Sequence, residues 1–571
     1  MLGNDLVLTI GLPLAAGMSL QQFAGVLAHE FGHFTQGAGM RLTYIIRSIN
    51  GWFQRVVYER DQWDQTLVEW SRDTDLRFAL LVWSVRFCIW LTRKILWCLM
   101  MVGHATSTFM LRQMEFDADR HEARLAGSET FASTCRQLHL LNVAMRKSHD
   151  DVNDFYQDGR LGDDLPLLMA DNVSRMPPAV QGEIEKVIST GKTGWLDTHP
   201  ADSARIASAA REQAPGVFQM DCPASLLFDE FPGLSKLCTL DFYQGEFGRQ
   251  FDLETVKPLD QLLAHRQVQD QSLEALQRFC LRTYHFLRPI RLSTSYLQAP
   301  SDPQATQNLL AAERLRMADE RTAYQAAFAS WDEADTWLID AAAAATGNRL
   351  GLKFKSDRCP DRLSSLAEIQ AARTRFEGLQ AEALPTLESF ERARSARMLA
   401  ALELLFDPSV QARLPEGAGW ANECNRLLRA LTALNDQLTP LLDLRNANAG
   451  LMFLINSFNA DKENERLRDA ILNRMDTIAT EIAQIHAPLT RVDYPFDHAR
   501  GEISIGHYLF AVPPGKKDLD AIFGAYQSLT ESFPAVGVRV SARLAMMADK
   551  VEELLGLPAI EVPAAEEAVP Q

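Results

Sequence analysis

No C-x-x-C pair occurs anywhere in this 571-residue sequence. Its eight cysteines, Cys88, Cys98, Cys135, Cys222, Cys238, Cys280, Cys359 and Cys424, are scattered. That is the usage of a reduced compartment rather than of a disulfide framework. The phosphate loop G-x-x-x-x-G-K-[ST] is absent, so an ATP-driven machine is excluded and no nucleotide is expected. The G-x-S-x-G nucleophile elbow is absent too, and nothing suggests haem, flavin or nicotinamide. Basic residues are in deficit: 57 Lys and Arg against 74 Asp and Glu give a formal net charge of −17, which argues against nucleic acid as a partner. The first residues lack a basic segment followed by an apolar core, so no secretory signal peptide is expected. No fixed repeat period and no sustained heptad stand out. What remains is a chain of ordinary globular composition, 47% hydrophobic, long enough for two or three domains.

Against that background one pentapeptide stands out, His29-Glu30-Phe31-Gly32-His33, an H-E-x-x-H motif. Residues four apart lie on one face of a helix, one turn above each other, so His29 and His33 can point two imidazoles at one metal ion. Glu30 adjoins the first of them, where a general base is needed. Zinc hydrolases require two or three nitrogen or carboxylate ligands, an open position for water and a base. Ser19 and Gln22 form an S-x-x-Q capping box that marks the helix start, and Gly37 and Gly39 supply its stop. The helix is therefore expected to run for about 16 residues with the motif near its middle. Val26, Leu27, Phe31 and Phe34 lead one to expect burial over much of its circumference. The plainer reading, a surface helix that happens to carry two histidines and a glutamate, leaves these apolar neighbours unexplained.

A tetrahedral site needs a third protein ligand. Glu115 and Asp119 in Met114-Glu115-Phe116-Asp117-Ala118-Asp119-Arg120 are four apart and share a helix face. Glu115 suits the metal, and Asp119 suits the far N–H of a ligating histidine, whose tautomer it would fix. Asp117 falls on another face and is expected to be solvated. His104, His121 and Glu122 are rivals: His121 lies off the Glu115 face, and Glu122 lies on it but reads more simply as a surface charge. The plainer alternative is an acidic turn paired with Arg112 and Arg120.

The segments NDLVLTIGL, VLAHEFGH, EFDADR and THPADSARI together resemble the HtpX and CaaX-prenyl-protease type of membrane zinc endopeptidases, family forty-eight of the metallopeptidases, over about residues 1–215. The resemblance implies that His29, His33 and Glu115 bind one zinc ion per chain and that Glu30 is the general base. It matches Asp119 to the aspartate of the family's E-x-x-A-D segment. It also matches His199 and Arg205 to the family's H-P-x-x-x-R-I element, near the site, where His199 can assist catalysis. By pattern alone, Asp197 and Thr198 are helix caps and Pro200 suits a first turn. The strand-like Leu6–Leu12 needs partners. Either a later segment pairs with it or the chain is shortened relative to its relatives, and an extended substrate is a further candidate to add along its edge.

Between the two metal segments, residues 78–111 are strongly apolar, and Ile95 to Leu111 carries no Asp, Glu, Lys or Arg. That is at the lower edge for a spanning helix. Trp83, Trp90 and Trp97 recur every seven residues beside Arg86 and Arg93, a combination suited to a membrane interface. Residues 41–112 hold ten basic and six acidic residues, a local excess that suits an anionic leaflet. Membrane association is therefore expected, of the bacterial inner-membrane kind with a reduced, cytoplasmic-side catalytic domain. The alternative is a buried helical hairpin.

The remainder reads as helix. Breaks fall at Gly159, Gly162, Pro177-Pro178 and Gly194, and long amphipathic helices are expected over 304–350, 363–406, 417–447 and 461–486, with Leu309, Leu310, Ala312, Leu315 and Met317 along one side. Residues 501–512 read as a short strand or hairpin, and His498 and His507 as structural. The expected fold is mainly α: a zincin-like metallopeptidase domain (1–215) with a helical hairpin insertion (78–111), a linker-like region (216–260), a helical C-terminal domain (261–557) and a disordered tail (558–571). The expected function is a gluzincin-type zinc endopeptidase acting on protein or peptide substrates at or near a membrane. The alternative is an inactive, peptidase-like helical scaffold with a structural zinc.

Overall fold

The computed structural model describes residues 8–59, 76–195, 197–248, 251–294, 296–414, 417–460 and 462–560. The chain forms two compact units, residues 1–156 with 161–259, and residues 157–160 with 260–571. Both are helical, and among the described residues the only sheet is a parallel pair of two-residue strands, β1 (Leu161–Gly162) and β2 (Val256–Lys257). The mainly α architecture is therefore the observed one.

In the first unit, α1 (Leu12–Gly17) leads into α2 (Leu20–Thr35), which carries the H-E-x-x-H motif. Both arms of the capping box are made: Ser19 Oγ accepts from Gln22 N, and Gln22 Oε1 accepts from Ser19 N. The helix is 16 residues long. Its end is a cap at Gln36, and Gly37 opens α3 (Gly37–Tyr58) rather than a loop. The 51-residue α4 (Leu76–Ala126) packs its first part on α3 and its second part on α2. The hairpin expected within 78–111 is not formed there, since those residues are one continuous stretch of α4; α3 packs beside it, most closely where Gly103 faces the buried Asn50. No helix among the described residues is long and apolar enough to cross a membrane.

Helix α5 (Ser128–Gln157), then α6 (Leu165–Ser174), α7 (Pro178–Thr190) and α8 (Asp202–Arg211) complete the surroundings of the motif. Phe23, Met18, Ala15 and Leu141 form a small core with Ala224, while Ala123, Phe131, Cys135 and Ala209 form a second.

Three expectations need revision here. Of the strand proposed for Leu6–Leu12, residues 6 and 7 lie outside the described residues, Leu8–Gly11 join no strand, and Leu12 begins α1. Of the stretch 216–260, read as a linker, residues up to Leu259 instead belong to the first unit: Leu20 N donates to Cys222 O at 2.6 Å, Ala224 N donates to Met18 O at 3.0 Å, and α9 (Phe231–Phe247) follows. Asp197 and Thr198 cap no helix, because α8 starts at Asp202 after an Ala201 cap.

In the second unit, α10 (Leu259–Phe279) leads to an antiparallel pair, α11 (Pro303–Asn348) and α12 (Leu366–Leu404). Tyr324 stacks on Phe390, and Trp337 meets Phe376. The buried stripe of α11 is Leu310, Met317, Tyr324 and Trp331, a seven-residue spacing that the surrounding alanines conceal. Leu309 and Leu315 are exposed instead. Beyond the short α13 (Pro408–Gln411), the stretch read as one helix over 417–447 is two, α14 (Gly417–Asp436) and α15 (Leu438–Ala460). They pack with α16 (Glu465–Leu489) and α18 (Leu519–Leu554) around the largest core. Within 501–512, the chain forms one isolated bridge (Asp493 to Ser504) and a short helix, α17 (Ile505–Leu509), not a hairpin. His507 Nδ1 rests on Ser504 Oγ, and His498 Nε2 on Gln157 O. Of the proposed tail, residues 561–571 lie outside the described residues.

Candidate metal centre

Two helices crossing without bulky side chains between them create the site. Gly25 and Gly32, seven residues apart on α2, face α4. A Cβ on Gly32 would sit 3.2 Å from Ala118 Cα, and one on Gly25 would sit 3.2 Å from Ala126 Cβ. This closeness brings the histidines of α2 to the carboxylates of α4. One ligand atom from each of His29, His33 and Glu115 lies within 4.8 Å of the others. His29 Nε2 is 3.6 Å from Glu115 Oε2, and the two imidazoles stand edge to face with centroids 4.9 Å apart.

The far side of His29 is held by charge. Its Nδ1 lies 3.1 Å from Asp119 Oδ1, and Asp119, 1% exposed, accepts both prongs of Arg205, at 3.0 Å from Nε and 2.6 Å from Nη2. Burial works against the imidazolium of His29, but the Asp119 carboxylate outweighs it and the pKa is raised. Burial likewise opposes ionisation of Asp119, yet its bonds with His29 and Arg205 carry its pKa below the usual carboxylate value. His33 is steadied by Gln36, whose Oε1 lies 3.4 Å from Nδ1 and whose Nε2 donates to Met114 O at 2.8 Å. Both rings are thereby left with Nε2 for an ion. Two imidazoles and a carboxylate in one small cluster are the donor set of a three-ligand zinc site with an open position, so these residues fit zinc.

Glu30 is exposed on α2 beside the cluster. His199 is 71% exposed, with Nδ1 3.0 Å from Glu115 Oε1. It reaches that position from a loop clamped by Arg112, which donates to Asp197 O at 2.9 Å, Gly194 O at 2.5 Å and Trp195 O at 2.9 Å. The site thus gathers His29, His33, Glu115, Asp119, His199 and Arg205, while Glu30 is next to His29 in the chain and exposed. His104 and His121 join no metal-like cluster among the described residues.

Other readings change. Arg112 and Arg120 do not pair with Glu115 and Asp119: Arg112 binds the loop, and Arg120 pairs with Asp117 at 3.3 Å. Asp117 is part-exposed and also accepts from Gln36. Phe31 and Phe34 are 52% and 51% exposed, so α2 is buried against α4 and, through Phe23, against Leu141 and Ala224, but not on the face that carries these two rings. Glu122 is no surface charge. It is 4% exposed, and burial pushes its carboxyl up to about 7. With His29 and Asp119 it forms a second cluster on the far side of the ring. Sequence reasoning missed Arg112 and Gln36. Their spacing, Arg112 one turn before Glu115 on α4 and Gln36 at the end of α2 one turn after His33, was the available signal.

Residues 3–213 match the family model described as Peptidase family M48. The chain carries an M48 peptidase domain. M48 is a family of metallopeptidases, generally zinc-dependent, which places the segment among enzymes that hydrolyse peptide bonds in proteins or peptides. No curated protein and no solved structure matches the chain.

Proposed function

We propose that this chain is a zinc-dependent endopeptidase of the gluzincin type, acting on protein substrates at or near a membrane. The convergence of His29, His33 and Glu115 beside an exposed Glu30 carries the reading. Zinc held by these three residues would supply a Lewis acid that polarises the scissile carbonyl and acidifies water. Glu30 accepts the proton of the attacking water and passes it to the leaving amine. His199, whose Nδ1 lies 3.0 Å from Glu115 Oε1, donates to the developing oxyanion. Asp119 and Arg205 orient His29 and take no part in proton transfer.

The membrane part of the proposal rests on the α3–α4 pair. Trp52 on α3 and Trp83, Phe87, Trp90, Ile95, Leu99 and Val102 on α4 are all exposed, an apolar surface rich in tryptophan beside basic residues. Such a face suits contact with anionic headgroups, on the reduced cytoplasmic side of a bacterial-type inner membrane.

The decisive experiment compares cleavage of an unstructured protein by the zinc-loaded wild type and by Glu30→Gln, with metal content measured in both and anionic vesicles present or absent. A fall of about 10²–10⁴-fold with zinc retained is expected. Equal cleavage by both proteins removes Glu30 from its role. Zinc in both with cleavage in neither favours the scaffold with a structural zinc. Recovery of the protein without the vesicles on flotation refutes the membrane part alone.

A further inference from the structure

The segment that carries His199 is closed on itself. Ala201 N donates to Thr193 Oγ1 at 2.9 Å, and Ser203 Oγ donates to Gly191 O at 2.9 Å. These two bonds draw the first turn of α8 onto the chain that leaves α7. A segment closed in this way moves as one body, so a single outside attachment leaves it free to pivot. Arg112 of α4 supplies one attachment, at the carbonyls of Gly194, Trp195 and Asp197, all before His199 in the chain.

The second attachment comes from α5. His139 Nε2 lies 2.7 Å from Asp202 Oδ2. Asp202 is the first residue of α8, midway in sequence between His199 and Arg205. A carboxylate in a first helical turn suits the helix dipole, which explains Asp202 but not the imidazole that meets it. His139 is the last rung of a row on α5 that faces α8. Ser128 Oγ donates to Ala209 O at 2.7 Å, Phe131 and Cys135 pack with Ile206 and Ala209, and the Arg205 guanidinium lies 5.7 Å from the centre of the Phe131 ring. Those rungs hold α8 from Arg205 onwards, and His139 reaches past them to the first turn. The His139 and Asp202 side chains are 36% and 28% exposed, and a part-exposed pair adds little to global stability. What it fixes is direction. Arg205 is kept in place by its two bonds to Asp119, whereas the reach of His199 to Glu115 depends on where the first turn of α8 begins.

We propose that His139 is a positioning residue for His199. Through Asp202 it anchors the first turn of α8, so that Arg112 and His139 hold the segment from both sides and keep His199 against Glu115. The inference rests on the role given to His199 above and adds a residue of α5 to the site.

Two measurements test it. In the zinc-free full chain, hydrogen exchange read by mass spectrometry is expected to be faster over residues 199–205 in His139→Leu, with α2 unchanged. In the zinc-loaded chain, His139→Leu is expected to lower kcat about tenfold, as for a small misplacement of an assisting group, with KM and zinc content unchanged. Asp202→Ala should match it in both measurements. His139→Gln, which keeps a donor at the Nε2 position, should restore most of both. Because His139 acts through His199, His139→Leu should cost nothing further in a His199→Ala background. Unchanged exchange, an unchanged kcat, a fall in activity matched by loss of zinc, or a loss that adds in full to that of His199→Ala overturns the proposal. If the zinc-loaded wild type does not cleave, the peptidase reading fails and the exchange measurement alone decides the tether. Should His139→Leu fail to fold, Asp202→Ala carries the same test.

Discussion

A histidine becomes a dependable metal ligand only when its other nitrogen is engaged. For His29 that engagement is Asp119, itself locked by Arg205. Asp119→Asn is expected to lower zinc affinity about 10–100-fold, read by competition with a chromophoric chelator. It keeps the size of the side chain but leaves Arg205 without its counter-charge. The glycines of α2 carry a different duty. Gly32→Leu would drive a side chain into the Ala118 backbone and the His121 ring. A loss of about 1–3 kcal/mol is expected, visible as a lower denaturation midpoint and as weaker zinc binding. The convergence of His29 and His33 was legible because residues four apart share one face of a helix. Glu122 was not, because an acidic residue on a helix reads as surface until a second helix covers it.

Elements explain how residues far apart in sequence meet. Helix α2 was legible from its capping box and length, since those signals are local hydrogen bonds. Its end was not: Gly37 is equally able to start a helix, and here it does. The loop from Gly194 to His199 offers only weak local signals. Its shape is imposed by Arg112 of α4, which binds three of its carbonyls. Arg112→Met should release this loop and lower kcat about 10–100-fold, the cost expected of a group misplaced by about an ångström, with zinc content unchanged. Partial recovery in Arg112→Lys would mark a positioning role, whereas equal loss of zinc in both variants would refute it. The stripe of α11 shows why pattern reading failed there. Leu310, Met317, Tyr324 and Trp331 recur every seven residues, but a buried Arg314 sits among them and exposed Leu309 and Leu315 imitate a core face.

At the scale of the molecule, the absence of paired cysteines has a chemical consequence. Cys135 and Cys424 are buried, and burial pushes both thiols up to about 12. Cys280 is buried as well, whereas Cys88, Cys98 and Cys238 are exposed. Alkylation needs the thiolate. Iodoacetamide at neutral pH should therefore label the exposed three in the native protein and reach the buried three only after denaturation, as peptide mapping by mass spectrometry would show. Early labelling of Cys424 would contradict the packing of the second unit.

By itself the sequence determined the helical class, the helix that carries His29 and His33 on one face, and the carboxylate turn that meets it. Each depends on spacing within a single helix, where backbone geometry converts sequence distance directly into direction. Only the tertiary structure decided which carboxylates turn inward, that Arg205 locks Asp119 from 86 residues away, that segment 222–224 clamps the start of α2, and that Arg314 and Arg397 in the second unit share the buried Glu552. Those outcomes depend on which helices touch and how closely they approach. Burial then sets the cost of each charge, and no local pattern records who its neighbours will be.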